Sequence, residues 1–114
     1  GYGLTRDDMR LFWDMYLQAP GDVTHPYASP LEAKSLGGLP PALILIAEFD
    51  PLADEAEAYA GKLRGADVAA HVIRYPGMIH GFIEYLGGVD AAHVAVADCA
   101  AALRTAMGEL PTAT

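Results

Sequence analysis

The stretch Ala42-Leu43-Ile44-Leu45-Ile46-Ala47 is apolar without interruption and has the length of a strand rather than a helix. A strand with one wet face would alternate apolar and polar residues. This one does not, so both of its faces must be covered, the pattern of a strand in a parallel sheet packed under helices. The run ends at Asp50-Pro51. That pair reads as a helix start, with aspartate as N-cap and proline at the first helical position, where its missing N–H costs nothing. Ala56, Tyr59, Ala60 and Leu63 then recur at helical spacing until Gly65 closes the segment. Val68 to Tyr75 is β-rich and is expected to terminate at Pro76-Gly77. Strand, helix and strand in this order make one right-handed crossover between parallel strands, so the expected class is α/β. Asp90 is placed to cap a last helix whose Val96, Ala100, Leu103 and Met107 fall on one face.

Two strands and their helices do not make a self-sufficient sheet, and at least one sheet edge should expect further parallel strands. The length agrees. With 114 residues the chain suffices for one small domain but is short for a complete α/β enzyme, and its 53% hydrophobic content is high for a chain that must cover itself. A fragment is therefore expected. The first residue is Gly1 rather than methionine, which processing, truncation or a partial reading frame would each explain. No apolar run approaches the roughly 20 residues of a membrane-spanning helix, and no charged-then-apolar leader is seen, so a cytoplasmic location is expected. A net charge of -8 argues against nucleic acid, whose phosphates select a basic surface.

Upstream of the strand, Thr5 followed by Asp7 and Asp8 marks a helix start, with acidic residues near the positive end of the dipole. Met9, Phe12, Trp13, Tyr16 and Leu17 follow at spacings of three and four. Such a stripe is either the packed face of an amphipathic helix or, in part, the wall of an apolar pocket. From Ala19 to Pro41, repeated proline and glycine break any long element, leaving a loop with room for a helical turn at Leu31 to Ser35. Residues 1–38 are thus expected to form a helix and loop, and residues 39–110 a strand-helix-strand-helix core.

Asp50 lies at the C-terminal end of the first strand and His80 in the loop after the second. In open α/β sheets that edge is where ligands bind and reactive groups collect. A carboxylate there can accept from imidazole Nδ1–H and leave Nε2 to act on a nucleophile, two parts of a Ser-His-Asp triad. An aspartate before proline is equally an ordinary N-cap, and many histidines are structural, so the residues alone leave both readings open. The nucleophile is not evident. Ser29 and Ser35 are the only serines, both lie in the proline- and glycine-rich loop, and neither sits in a G-x-S-x-G elbow. With no serine after His80, a triad containing this pair must run in the order Ser, Asp, His, with the serine expected before Gly1. Cys99 falls in an alanine-rich helical pattern with no basic neighbour to activate it and reads as a small packed residue. His25, His71, His80 and His93 are scattered without metal-site spacing, and no phosphate-binding glycine motif occurs.

The segment from Leu39 through Ala47-Glu48-Phe49-Asp50-Pro51-Leu52-Ala53-Asp54, together with Ile79-His80-Gly81-Phe82, resembles the hormone-sensitive-lipase-like branch of the α/β-hydrolase fold, which includes many bacterial carboxylesterases. The strand leading into D-P-L-x-D and the later H-G-F are that family's signatures. The resemblance implies that Asp50 is the triad acid and His80 the base. It also covers Met9 to Leu17, similar to an aromatic helix near the cap and acyl pocket, and His25 to Leu31, similar to the loop before the penultimate core strands. On this basis Trp13 and Tyr16 are expected to border the substrate, and Asp54 to have a hydrogen-bonding or structural role. Ala53 stands where the family commonly has arginine, and Ala56 near a usual glycine. The H-G-G-type oxyanion loop and the G-D-S-A-G elbow have no counterpart in these residues.

What the resemblance implies is the C-terminal part of an α/β-hydrolase fold, with the N-terminal part of the sheet missing. Its activity would be carboxylic ester hydrolysis on a small-molecule ester, with no metal or organic cofactor. The partner required is the missing N-terminal portion of the same fold, and self-association into a homo-oligomer is compatible with the open sheet edge. The alternatives are a truncated fragment without activity, since it lacks nucleophile and oxyanion donors, and a flavodoxin-like or receiver-like binding module.

Overall fold

A computed structural model describes residues 3–108, in two compact units that divide after His80. Residues 109 and 110, expected to close the core, lie outside the described residues. In the first unit, helix α1 (Arg6–Tyr16) starts as its sequence dictates. The Thr5 hydroxyl accepts from the Asp8 N–H at 3.1 Å, and the Asp8 carboxylate accepts from the Thr5 N–H at 2.9 Å, a reciprocal capping box. The Thr5 hydroxyl also donates to the Asp8 carboxylate, and this bond, seconded by that from the Thr5 N–H, holds the Asp8 carboxyl below its ordinary pKa. The aromatic stripe is not packed as a whole. No residue of α1 is fully buried, Phe12 is 52% and Tyr16 70% exposed, and Met9, Trp13 and Leu17 are half-buried.

The loop that follows contains two 3₁₀ turns, Pro20–Thr24 and Pro30–Glu32. The second replaces the turn expected at Leu31 to Ser35. It starts on Pro30, whose fixed φ favours the first position of a helical turn. Lys62 Nζ donates to the carbonyls of Leu31 and Ala33, which satisfies two acceptors at and just beyond the turn.

The apolar run forms β1 (Ala42–Phe49), and α2 (Ala53–Gly65) leads to β2 (Ala70–Ile79), which pairs with β1 in parallel. Ile46 and Ala47 of β1 are buried with Ala60 and Leu63 of α2, Val68, and Tyr75 of β2. Ile46 at 2% and Leu63 at 1% exposure are the largest side chains so enclosed, each contributing about 1.5–3 kcal/mol. Leu36 joins Leu63 and Val68, which ties the loop before β1 to the end of α2. Leu43, Ile44 and Leu45 remain half-buried, so the described residues cover β1 only in part.

Three boundaries differ from expectation, the smallest difference being that β2 starts at Ala70 rather than Val68. Helix α2 begins at Ala53 with Leu52 as its cap residue, because Asp50-Pro51-Leu52-Ala53 first closes a tight turn in which the Ala53 N–H donates to the Asp50 carbonyl at 3.1 Å. And β2 does not stop at Pro76-Gly77. It passes through them as an irregularity in the ladder and pairs again at Phe49 and Ile79. Proline lacks a ladder donor and Gly77 takes φ +74°, so the two residues serve as a bulge inside the strand.

The second unit holds a short 3₁₀ turn, Phe82–Glu84, packed on helix α3 (Asp90–Met107). Asp90 is the first residue of α3 and Val89 its cap, so the expected aspartate cap is not made. The helix buries Ala92 and Ala95, with Cys99 and Ala102 half-buried on the same face. The larger residues expected to pack, Val96, Leu103 and Met107, are exposed. Small side chains allow close approach, and the stripe of larger ones is rotated away by one residue. No helix among the described residues is long and apolar enough to cross a membrane.

Candidate active site

Asp50 and His80 meet where β1 and β2 end. The two strands run in parallel with partners 28 residues apart from Ala42↔Ala70 through Ala47↔Tyr75, and 30 residues apart at Phe49↔Ile79. Without the bulge, Asp50 would lie level with Met78. The two residues absorbed at Pro76-Gly77 bring His80 level with it instead. Because the shift is even, the side chains after the bulge keep the faces they would have had.

The resulting contact is short and directed. His80 Nδ1 lies 2.8 Å from Asp50 Oδ2, and the other carboxylate oxygen, Oδ1, accepts from the Leu52 N–H at 2.8 Å. Each oxygen thus has its own donor, which fixes the plane of the carboxylate. The Asp50 side chain is 13% exposed and that of His80 43%. Since a carboxylate only accepts, Nδ1 carries a proton, and in the neutral ring Nε2 is then the acceptor nitrogen. Among the described residues Nε2 has no hydrogen-bond partner. The arrangement can receive a proton at Nε2 and stabilise the imidazolium that forms.

A cavity of about 460 Å³ lies between the first helix and α2, its walls including Trp13, Pro30, Leu31, Leu52, Ala56 and Tyr59. Neither Asp50 nor His80 lines it. Leu52 links the two places, because its side of the cavity wall is carried by the same residue whose N–H holds Asp50. Trp13 is on this cavity. Tyr16 is not: with Met9, Phe12, Trp13 and Ala28 it lines a smaller hollow of about 180 Å³, its ring 6.5 Å from that of Trp13 in an edge-on contact. Asp54 is exposed in the first turn of α2, where a negative charge suits the helix N-terminus. No group of three His, Cys, Asp or Glu able to hold a metal ion occurs among the described residues.

Two residues that sequence reasoning passed over support the pair. One is Leu52, through its backbone. The other is Glu48, whose carboxylate accepts from the Gly77 N–H at 2.6 Å across the bulge. Only the position of Pro76-Gly77 inside a β-rich stretch could have signalled the second, and there it reads as a strand end.

Known proteins share this sequence and fold. The family model described as alpha/beta hydrolase fold matches residues 1–84. The carboxylic ester hydrolase LipN of Mycobacterium tuberculosis is 48% identical over 96 residues, 81% of this chain and 25% of that protein. The ethyl acetate hydrolase of Pseudomonas putida is 40% identical over 83 residues, 73% of this chain and 26% of its own. Among solved structures, the carboxylesterase EstE1, cloned from a metagenomic library, superposes with a TM-score of 0.90 at 42% identity, covering 93% of this chain and 36% of that one. An esterase of Pyrobaculum calidifontis gives 0.87 at 42% identity, with 91% and 34% covered. The chain spans about a quarter of the length of the curated relatives it matches. Sequence, strand order and superposition agree that this chain belongs to the α/β-hydrolase fold family, in its hormone-sensitive-lipase-like branch, and carries a C-terminal part of that fold.

Proposed function

We propose that these residues are the acid and base of a carboxylic ester hydrolase whose nucleophilic serine and oxyanion donors come from the rest of the fold. The observation that carries this reading is the 2.8 Å contact between His80 Nδ1 and Asp50 Oδ2 at the ends of adjacent parallel strands. His80 Nε2 takes the serine proton as the oxygen attacks the ester carbonyl, then returns it to the departing alcohol. Asp50 keeps the ring in the tautomer that leaves Nε2 free and stabilises the imidazolium between those steps. A water then attacks the acyl-enzyme with the same histidine as base, releasing the acid. The relatives' names support esters as the substrate class.

The substrate is a small-molecule ester with a short or medium acyl chain. The cavity beside Trp13, about 460 Å³, lies within the size range of small-molecule sites. Trp13 supplies an apolar wall, and Tyr16, in the neighbouring hollow, packs edge-on against the Trp13 ring. Hydrolysis of p-nitrophenyl butyrate by the whole protein that carries this chain tests the assignment: His80→Ala should lower kcat by about 10³-fold or more. Turnover close to the parent would overturn it. The 114 residues assayed by themselves should show no His80-dependent hydrolysis, and appreciable activity would refute a nucleophile outside them.

A further inference from the structure

We infer that Glu48 is a positioning residue for His80, acting through the bulge of β2 rather than through any contact with substrate; the inference rests on the esterase reading above. Glu48 is the β1 residue between Ala47 and Phe49, the interval in which the ladder loses its register. Opposite it, β2 carries Pro76, which has no N–H to offer, and Gly77, whose φ of +74° turns its N–H out of the regular pattern. The Glu48 carboxylate takes up that N–H at 2.6 Å. The side chain facing the gap therefore supplies the acceptor that the ladder lacks there. Three residues after Gly77 comes His80, and it lies level with Asp50 only because the bulge holds two extra residues of β2. A Cβ on Gly77 would have no neighbour within 4 Å, so packing does not hold the bulge at that point. The hydrogen bond that Gly77 N–H donates to Glu48 does. It is solvent-exposed, so its value lies in fixing geometry rather than in stability: freed of it, the segment before His80 samples positions in which Nδ1 and Asp50 Oδ2 part.

The test is steady-state hydrolysis of p-nitrophenyl butyrate by the whole protein, expressed per folded molecule. Glu48→Ala should lower kcat by about 10- to 100-fold, the scale of misplacing a reacting group by about an ångström, with KM within about twofold. Glu48→Gln keeps a carbonyl acceptor at the same reach and should stay within about threefold of the parent. Glu48→Leu, which keeps bulk but not the acceptor, should match the alanine variant and replaces it if that variant does not fold. Parental kcat in Glu48→Ala or Glu48→Leu overturns the inference, as does a glutamine variant that loses as much as either. A lowered thermal midpoint with unchanged kcat would show a purely structural role and overturn it too. Should His80→Ala itself retain turnover, the failure lies in the esterase reading instead.

Discussion

The two arms of the site are built differently. Asp50 stands on a short local turn: its carboxylate reaches the N–H of Leu52, and its own carbonyl accepts from Ala53, so its neighbours in sequence orient it. Among the described residues the His80 ring has no hydrogen bond to a sequence neighbour. It reaches Asp50 from 30 residues away along a strand that must first absorb two extra residues at Pro76-Gly77. Charge and backbone hydrogen bonds fix the acid locally, while the base depends on strand register, a property of two segments at once. The acid arm should therefore tolerate perturbation of the backbone poorly only at Asp50 itself, and the base arm along the whole approach to His80.

The largest effect that would sharpen this contrast is Asp50→Asn. The amide can present N–H where the carboxylate presented oxygen, so the imidazole loses the tautomer that leaves Nε2 free. In the whole protein kcat should fall by about 10³- to 10⁴-fold with folding intact, and near-parental hydrolysis would remove Asp50 from the mechanism. Next comes Gly77→Val on the base arm. A β-branched residue at φ +74° costs about 1–3 kcal/mol of strain, and relief of that strain displaces the bulge. The thermal midpoint and kcat should both drop, with KM little changed. Unaltered kcat in a folded Gly77→Val protein would break the claim that the bulge sets the histidine.

The smallest effect belongs to a site in neither arm. Thr5→Ala removes the hydroxyl of the α1 capping box and should cost about 1 kcal/mol of stability, read from denaturant unfolding, with kcat unchanged. Its pH dependence has a definite sign. Because the Thr5 hydrogen bonds lower the Asp8 pKa in the folded state, their contribution is complete above the ordinary carboxylate range and fades as pH falls through the lowered value. The parent should thus lose more stability than Thr5→Ala on acidification. Parallel acid profiles would show that the box does not hold Asp8 as a carboxylate.

How much of this was legible beforehand depends on the range of the interactions. The uninterrupted run Ala42 to Ala47 announced β1, the spacing of Ala56, Tyr59, Ala60 and Leu63 announced α2, and Thr5 with Asp8 announced the start of α1. Each of these follows from hydrogen bonding or side-chain period within a few residues. Asp50 and His80 were visible as residues, in their order and in two short motifs. Less visible were features that depend on a neighbour elsewhere. Pro76-Gly77 looks like a strand end until β1 is set beside it. Asp50 looks like an N-cap until its carboxylate is shared between Leu52 and His80. The face of α3 that packs is the one with alanines, not the one with the largest apolar side chains.

By itself, then, the amino-acid sequence determined the class of the fold, the elements of its βαβ unit, and which carboxylate and which imidazole could form a pair. Those rest on local periodicity, on backbone preferences at proline and glycine, and on the chemistry of the side chains. Tertiary structure decided that the pair forms, that each Asp50 oxygen has its own donor, and that Glu48 faces the bulge. Register is the physical reason: it is a relation between two strands, and neither strand carries it alone.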